Sequence, residues 1–218
     1  MDPKRAGTGY LAVPDETTGP GILVLHAWWG LTPFFKAICD RLAAAGFVAL
    51  APDLLGGDLA STIEEAEQRL EAANADELAH LTRSSLWHLR QLPMTPDAPL
   101  GVLGFSMGAS MALWLSAREA DDVAATAIFY GAQDIDFAGS RSAYLGHFAD
   151  EDPYVDEDSL VLLEADLRLL DLDTTFHRYP GTRHWFFEED RPEHDPTAAA
   201  LAWERTLQFF RQHLQPEG

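Results

Sequence analysis

Cysteine is almost absent from this sequence, in which Cys39 is the only one among 218 residues. A single cysteine excludes an internal disulfide and a zinc site built from several cysteines, and it fits a reducing, cytoplasmic location. Because Cys39 falls in the helical pattern FFKAICDRLAAAG, we expect it to be a small buried side chain without a reactive role.

Basic residues are also scarce, since 15 lysines and arginines stand against 35 acidic residues and give a formal net charge of −20. This balance argues against nucleic acid as a partner, because no basic patch is available to neutralise phosphates. An acidic surface also repels anions at long range, so an anionic substrate would have to be held by local arginines.

Long apolar runs are missing as well. No run approaches the roughly 18 residues that span a bilayer, and no apolar segment follows the basic residues of the opening MDPKRAGTGY. We therefore expect neither a membrane partner nor a secretory signal.

Short apolar runs alternate with helical patterns along the whole chain, and 47% of the residues are hydrophobic. Buried strands that alternate with helices are typical of an α/β fold with a mostly parallel sheet and helices on both faces. We predict one domain over residues 1–218. Strands are predicted over residues 9–14, 21–27, 47–53, 98–105, 123–131, 142–149 and 173–180, and helices over 33–46, 107–119, 159–170 and 196–214, with two more in 58–92 that meet near Asn74.

The segment GFSMG at 104–108 has the G-x-S-x-G pattern of a nucleophilic serine. It follows a predicted strand and opens a predicted helix, as that motif requires, and its small residues allow the sharp turn that exposes the serine. An ordinary turn serine is the alternative. The context favours Ser106 as a nucleophile.

A serine hydroxyl needs a general base, and His184 has the best position for one. It follows the strand predicted over 173–180 and a turn at Gly181, so it can overhang the strand ends. In this type of fold the chain order is nucleophile, acid, histidine. The other histidines considered lie in helices (His80, His88, His213), in strands (His147, His177) or in an acidic loop (His194).

The acid that orients the histidine should lie between Ser106 and His184, after a strand. The segment GHFADEDPYV offers Asp150, Glu151 and Asp152. We favour Asp152, because Pro153 restrains its backbone to an extended conformation. Asp150 is the main alternative, a solvated acidic turn is another, and Asp134 and Asp136 are weaker candidates.

An oxyanion formed by attack on a carbonyl requires two donors that are already in place. We expect these to be the backbone N–H groups of Met107, directly after the nucleophile, and Trp28, on the loop after the first buried strand. Trp28, Trp29 and Phe34 could also form apolar walls for a substrate, with core packing as the alternative.

Four segments together resemble the dienelactone hydrolase family of α/β-hydrolases over residues 22–210. They are ILVLHAWWGLTPFFKAICDRLAAAGFVALAPDL, VLGFSMGA, GHFADEDPYV and YPGTRHWFFEEDRPEHDPTAAALAWERTLQFF. The resemblance implies Ser106 as nucleophile, Asp152 as acid, His184 as base, and Trp28 and Met107 as oxyanion donors. It also implies an α/β-hydrolase fold without a large lid domain.

The sequence departs from the best-known members of that family in its nucleophile, at Ala27 and in the arginines that clamp a substrate. They carry a cysteine at the position of Ser106 and a glutamate at that of Ala27, so a serine mechanism is implied here instead of a thiolate one. They also clamp a substrate carboxylate with arginines, and one of those positions is Glu188 here. Arg183 and Arg191 are the candidates to replace it.

We therefore predict a serine-dependent hydrolase that cleaves a small-molecule ester or lactone through an acyl-enzyme, without a metal or an organic cofactor, as a monomer or homodimer. A general carboxylesterase or short-acyl hydrolase is one alternative. A non-catalytic binding protein on the same fold is another.

Overall fold

The computed structural model describes residues 9–57 and 59–215. The chain separates into two compact units, residues 1–98 and 99–218, and the single domain expected over 1–218 stays a prediction. Most of the segment MDPKRAGTGY, in which no secretory signal is expected, lies outside the described residues. Asp58, where the predicted polar helical segment begins, also lies outside them. Within the described ranges, no helix is long and apolar enough to cross a membrane.

Three strands and three helices are described in the first unit. Its elements are β1 Gly9–Ala12, β2 Gly21–Leu25, α1 Pro33–Ala44, β3 Val48–Pro52, α2 Ile63–Ala72 and α3 Ala75–Arg90. The strand order is β1–β3–β2, with β1 antiparallel and β2 parallel to β3. Helix α1 packs against β3, and α3 packs against β2 and β3. Every residue of β2 and β3 is buried, as continuous apolar runs require.

The second unit contains four parallel strands in the order β4–β5–β6–β7. Its elements are β4 Leu100–Phe105, α4 Met107–Arg118, β5 Val123–Phe129, β6 Ala143–Glu151, α5 Glu157–Leu169, β7 Thr174–Arg183 and α6 Pro196–Leu214. Helix α4 packs against β4 and β5, α5 against β7, and α6 against β5 and β6. Parallel neighbours end at the same edge of a sheet, so the loops after all four strands lie close together.

Polar side chains begin several of these helices. Asn74 accepts hydrogen bonds from the N–H groups of Asp76 and Glu77 at the start of α3, and so divides the polar segment into α2 and α3 as predicted. Asp195 does the same for Thr197 and Ala198 at the start of α6. These caps satisfy N–H groups that have no partner within the helix.

The strands and helices predicted from the sequence are confirmed, with differences at their ends. The largest is at β7, which was predicted to end at residue 180 but continues to Arg183. Gly181 permits this because it adopts a φ of 73°, and the pairing with β6 shifts register between Ala149 and Glu151. His184 therefore follows the strand directly and not after a separate turn.

Gly104 in β4 allows helix α4 to begin directly above its own strand. A Cβ atom at this position would lie 2.3 Å from the carbonyl oxygen of Gly108 and 2.7 Å from Cα of Ala109. Both neighbours are backbone atoms, which cannot move aside without displacing the helix. The motif therefore needs glycine here for steric reasons.

We predict that Gly104→Ala lowers the free energy of unfolding by about 3 kcal/mol or more, because the added methyl group overpacks a site lined by backbone. Gly139→Ala is the matched control, since its nearest neighbour would be the Ala117 carbonyl oxygen at an ordinary 3.5 Å. Urea unfolding of both variants measures the difference. Equal stability of the two would contradict the steric explanation.

Candidate active site

Ser106 lies on a strained turn between β4 and α4. Its φ of 51° and ψ of −114° are rare for a residue with a side chain. The turn is held by its own N–H, which donates to the carbonyl of Phe129, and by its carbonyl, which accepts from Ala109. This conformation projects the side chain from the end of the strand, where it is half-buried.

The structure brings Ser106, His184 and Asp152 together at the ends of three parallel strands. Ser106 Oγ lies 2.9 Å from His184 Nε2, and His184 Nδ1 lies 2.7 Å from Asp152 Oδ2. Because a carboxylate only accepts, Nδ1 carries the imidazole proton and Nε2 accepts the proton of the serine hydroxyl. The His184 and Asp152 side chains are only 3% and 6% exposed, so solvent weakens their interaction little.

Asp152 is fixed independently of the histidine. Its Oδ1 accepts from the N–H groups of Tyr154 and Val155, 2.9 and 3.1 Å away. Of the other acids predicted after β6, Asp150 accepts from the N–H of Gly181 and Glu151 faces Arg183. Of the three acids in this segment, Asp152 is the one that is hydrogen-bonded to the imidazole. Asp136, one of the two weaker candidates, accepts a hydrogen bond from the N–H of Ala138 in its own loop.

Three aromatic rings surround the His184 imidazole. Tyr130 and Tyr154 each have ring centroids 4.8 Å from it, and Trp185 lies 4.9 Å away in an edge-to-face arrangement. Tyr130 is fully buried, whereas Tyr154 is 44% exposed. Tyr154 is thus a surface residue in direct contact with the imidazole.

The loop after His184 is anchored in the hydrophobic core by Phe187. Its ring centroid lies 4.4 Å from that of Phe129 and 5.7 Å from that of Phe105, at the ends of β5 and β4. The following residue, Glu188, is fully buried, and its Oε1 accepts a 2.7 Å hydrogen bond from the Tyr130 hydroxyl. Its second oxygen, Oε2, has no hydrogen-bond partner among the described residues.

Sequence comparison identifies the family. The family model described as the dienelactone hydrolase family matches residues 8–214. The chain belongs to the dienelactone hydrolase family. It is 31% identical to "Protein usf" of Aquifex pyrophilus over 94% of this chain and 93% of that one. It is 30% identical to the "Putative carboxymethylenebutenolidase" of Aquifex aeolicus over 95% and 94%.

A solved structure shows the same fold. The "Putative Dienelactone Hydrolase" of Klebsiella pneumoniae superposes with a TM-score of 0.82 at 21% identity, covering 94% of this chain and 92% of that chain. At this identity the likeness shows the fold alone, and the predicted α/β-hydrolase fold is confirmed.

Two arginines were predicted to contact a substrate in this dienelactone hydrolase family member, and both face acids. Arg183 Nε lies 3.5 Å from Glu151 Oε2, and Arg191 Nε lies 3.5 Å from Asp190 Oδ1. Arg183 also lines a surface cavity of about 310 Å³ formed by residues 181–183 and 192–195. A substrate contact by either arginine stays a prediction.

The predicted site residues of the first unit are buried apolar side chains. Trp28 and Trp29 pack edge to face with ring centroids 5.7 Å apart, and Phe34 packs in the same way on Phe35. Their roles in oxyanion or substrate binding stay predictions. Cys39 is buried as expected, and burial raises the pKa of its thiol to about 12, so that the neutral thiol predominates at neutral pH.

Sequence reasoning assigned no contact to Tyr130 or Glu188, although both belong to this site. Glu188 was noted only as an acid at a position where the best-known family members have an arginine. Its signal was the apolar context WFFE, which places a carboxyl directly after three buried aromatic residues. This local pattern does not indicate that the partner is Tyr130, which lies 58 residues earlier in the chain.

Burial raises the pKa of Glu188 from 4.5 to about 8, against the opposing effect of the Tyr130 hydrogen bond. Between pH 4.5 and about pH 8, the folded protein therefore keeps a proton on Glu188 that the unfolded chain has already lost. The free energy of unfolding consequently falls as the pH rises through this window. We predict that the free energy of unfolding of Glu188→Gln, relative to that of the wild type, increases by on the order of 4 kcal/mol as the pH rises from 5 to 8.5.

Urea unfolding at several pH values measures this difference. Glu189→Gln removes a carboxyl at the adjacent exposed position and serves as the control. Parallel pH curves for the wild type and Glu188→Gln would contradict the assignment of a neutral buried carboxyl.

Proposed function

We propose that this protein hydrolyses ester or lactone bonds by nucleophilic catalysis, with Ser106 as nucleophile, His184 as general base and Asp152 as the acid that orients the base. The observation that carries the proposal is the continuous set of hydrogen bonds from Ser106 Oγ through both imidazole nitrogens to Asp152. Membership of the dienelactone hydrolase family and the name of the Aquifex aeolicus relative support the same reaction class.

The proposed reaction has two halves. His184 Nε2 takes the proton of Ser106 as Oγ attacks the carbonyl carbon, and the imidazolium then gives this proton to the leaving alkoxide as the acyl-enzyme forms. A water molecule deprotonated by His184 next attacks the acyl carbon, and Ser106 leaves with the proton returned. With a lactone, the leaving alcohol remains part of the acyl group.

The oxyanion of each half needs hydrogen-bond donors. We propose the backbone N–H of Met107, the first residue of α4, where helix N–H groups have no partner within the helix. The Trp28 N–H is proposed as the second donor on the basis of the family resemblance. Trp28, Trp29 and Phe34 are proposed as apolar contacts for the substrate.

The decisive experiment labels the protein with a fluorophosphonate and measures hydrolysis of p-nitrophenyl acetate. We expect Ser106 to be labelled, and Ser106→Ala to lower kcat by at least about 10³-fold without loss of fold, because no other group supplies the nucleophile. Residual activity near that of the wild type would exclude Ser106. A folded protein that is neither labelled nor active would favour the non-catalytic alternative.

Asp152→Asn and Asp150→Asn form a matched pair for the orienting acid. We expect the first to lower kcat by about 10⁴-fold, because an amide can hold the imidazole in the wrong tautomer. The second should stay within a few-fold of the wild type, since Asp150 contacts the Gly181 N–H and not the imidazole. Similar losses in both would contradict the assignment of Asp152.

The observed charges favour a carboxylesterase for uncharged substrates as the second candidate. Arg183 and Arg191 both face acids, and Glu188 is buried in the loop that follows the histidine. A substrate carboxylate would also meet the field of a chain with a net charge of −20.

We predict that kcat/KM for p-nitrophenyl acetate exceeds that for cis- and trans-dienelactone. Activity on the anionic lactones should rise with salt, because added ions screen the repulsion between charges more than about 8 Å apart at physiological ionic strength. Activity on the neutral ester should stay nearly constant. Faster and salt-insensitive hydrolysis of the lactones would favour dienelactone hydrolase activity instead.

A further inference from the structure

Tyr130 occupies an unusual position for a core residue. It follows β5 directly, its φ is 38°, and its N–H donates to the carbonyl of His147 on the neighbouring strand. Positive φ values are costly for residues with a side chain and persist only where the surroundings impose them. This backbone conformation presents the buried Tyr130 ring to the His184 imidazole, with centroids 4.8 Å apart.

Glu188 connects the Tyr130 ring to the loop that carries the imidazole. It lies four residues after His184, and its N–H donates to the carbonyl of Trp185. Its carboxyl accepts the Tyr130 hydroxyl at 2.7 Å. Tyr130 is therefore linked to the histidine loop twice. Its hydroxyl bonds to Glu188, and its ring contacts the His184 imidazole.

We propose that Tyr130 and Glu188 are positioning residues that hold the His184 imidazole in line with Ser106 Oγ. The inference rests on the proposed function, since it assigns the pair a role toward the proposed base. Tyr130 supports one side of the imidazole, and Glu188 prevents that support from moving independently of the histidine loop.

Stability alone does not account for this pair. A buried carboxyl loses its hydration, and here only one of its two oxygens recovers a hydrogen bond among the described residues. A phenylalanine and an unbranched apolar side chain would fill the same volume without that loss, since replacing both partners by apolar groups is often neutral or stabilising. Such an apolar pair would lack the hydrogen bond that joins residue 130 to the loop after His184.

The charged groups around the carboxyl come from the elements packed against it. Asp190, Arg191 and Glu193 of its own loop influence Glu188, while Asp152, after β6, acts on the Tyr130 hydroxyl. Burial, together with these mostly negative neighbours, favours the neutral form of Glu188 and keeps the Tyr130 hydroxyl protonated. The Tyr130–Glu188 hydrogen bond therefore persists across neutral pH.

The test uses the double variant Tyr130→Phe/Glu188→Met, which keeps the shape of the pair but removes its hydrogen bond. We expect stability equal to or above that of the wild type, measured by urea unfolding at pH 8. We also expect kcat for p-nitrophenyl acetate to fall by about tenfold or more with KM nearly constant, because small displacements of a catalytic group cost up to about 10²-fold. The rate of fluorophosphonate labelling should fall in parallel.

Two further variants separate positioning from packing. Glu188→Gln keeps an acceptor for the Tyr130 hydroxyl and should retain most of the wild-type kcat. Tyr144→Phe removes another buried tyrosine hydroxyl, which bonds to Ser116 and Ser140, and should change stability without lowering kcat. The His184 Nδ1–H proton resonance should broaden in the double variant and remain sharp in Tyr144→Phe.

The outcomes distinguish this inference from the proposed function. If the wild type is labelled at Ser106 and the stable double variant keeps kcat within twofold, the positioning role is wrong and the triad proposal stands. If the wild type is neither labelled nor active, the proposed function itself fails. A stable double variant with a reduced kcat, together with an active Glu188→Gln, supports the inference.

Discussion

The orientation of a single imidazole ring is the constraint on which the rest of the site depends. His184 can accept a proton from Ser106 only while Nδ1 carries its own proton and faces Asp152. Two backbone N–H groups hold the Asp152 carboxylate, and aromatic rings enclose the imidazole. Because the ring and its carboxylate are almost fully buried, little water competes for either nitrogen.

Backbone strain is concentrated around this ring. Among the described residues, five that are not glycine have a positive φ, and Ser106, Tyr130 and Trp185 belong to the same cluster. Each follows a parallel strand or the histidine itself, where the chain must turn sharply at the sheet edge. Hydrogen bonds from neighbouring strands and the packing of Phe187 on Phe129 keep these turns in place. Such strain is common at functional sites and fits the proposed role of this edge.

Much of the fold could be predicted because its signals are local. The unbroken apolar runs of β2 and β4 indicate strands buried on both faces, and Asn74 marks the boundary between two helices. The order of Ser106, Asp152 and His184 along the chain was readable in the same way, since each follows a predicted strand. The extension of β7 to Arg183 could not be predicted from the sequence, because it depends on pairing with β6 and on the φ of Gly181.

The sequence by itself determined the succession of strands and helices, the tight turn at Ser106 and the set of candidate acids, because periodicity, glycine sterics and chain order are properties of neighbouring residues. Only the tertiary structure decided that Asp152, and not Asp150, meets the imidazole, and that Glu188 is a buried partner of Tyr130. Those contacts join residues 32 and 58 positions apart. Their geometry follows from how parallel strands bring distant loops to one edge, which no local pattern encodes.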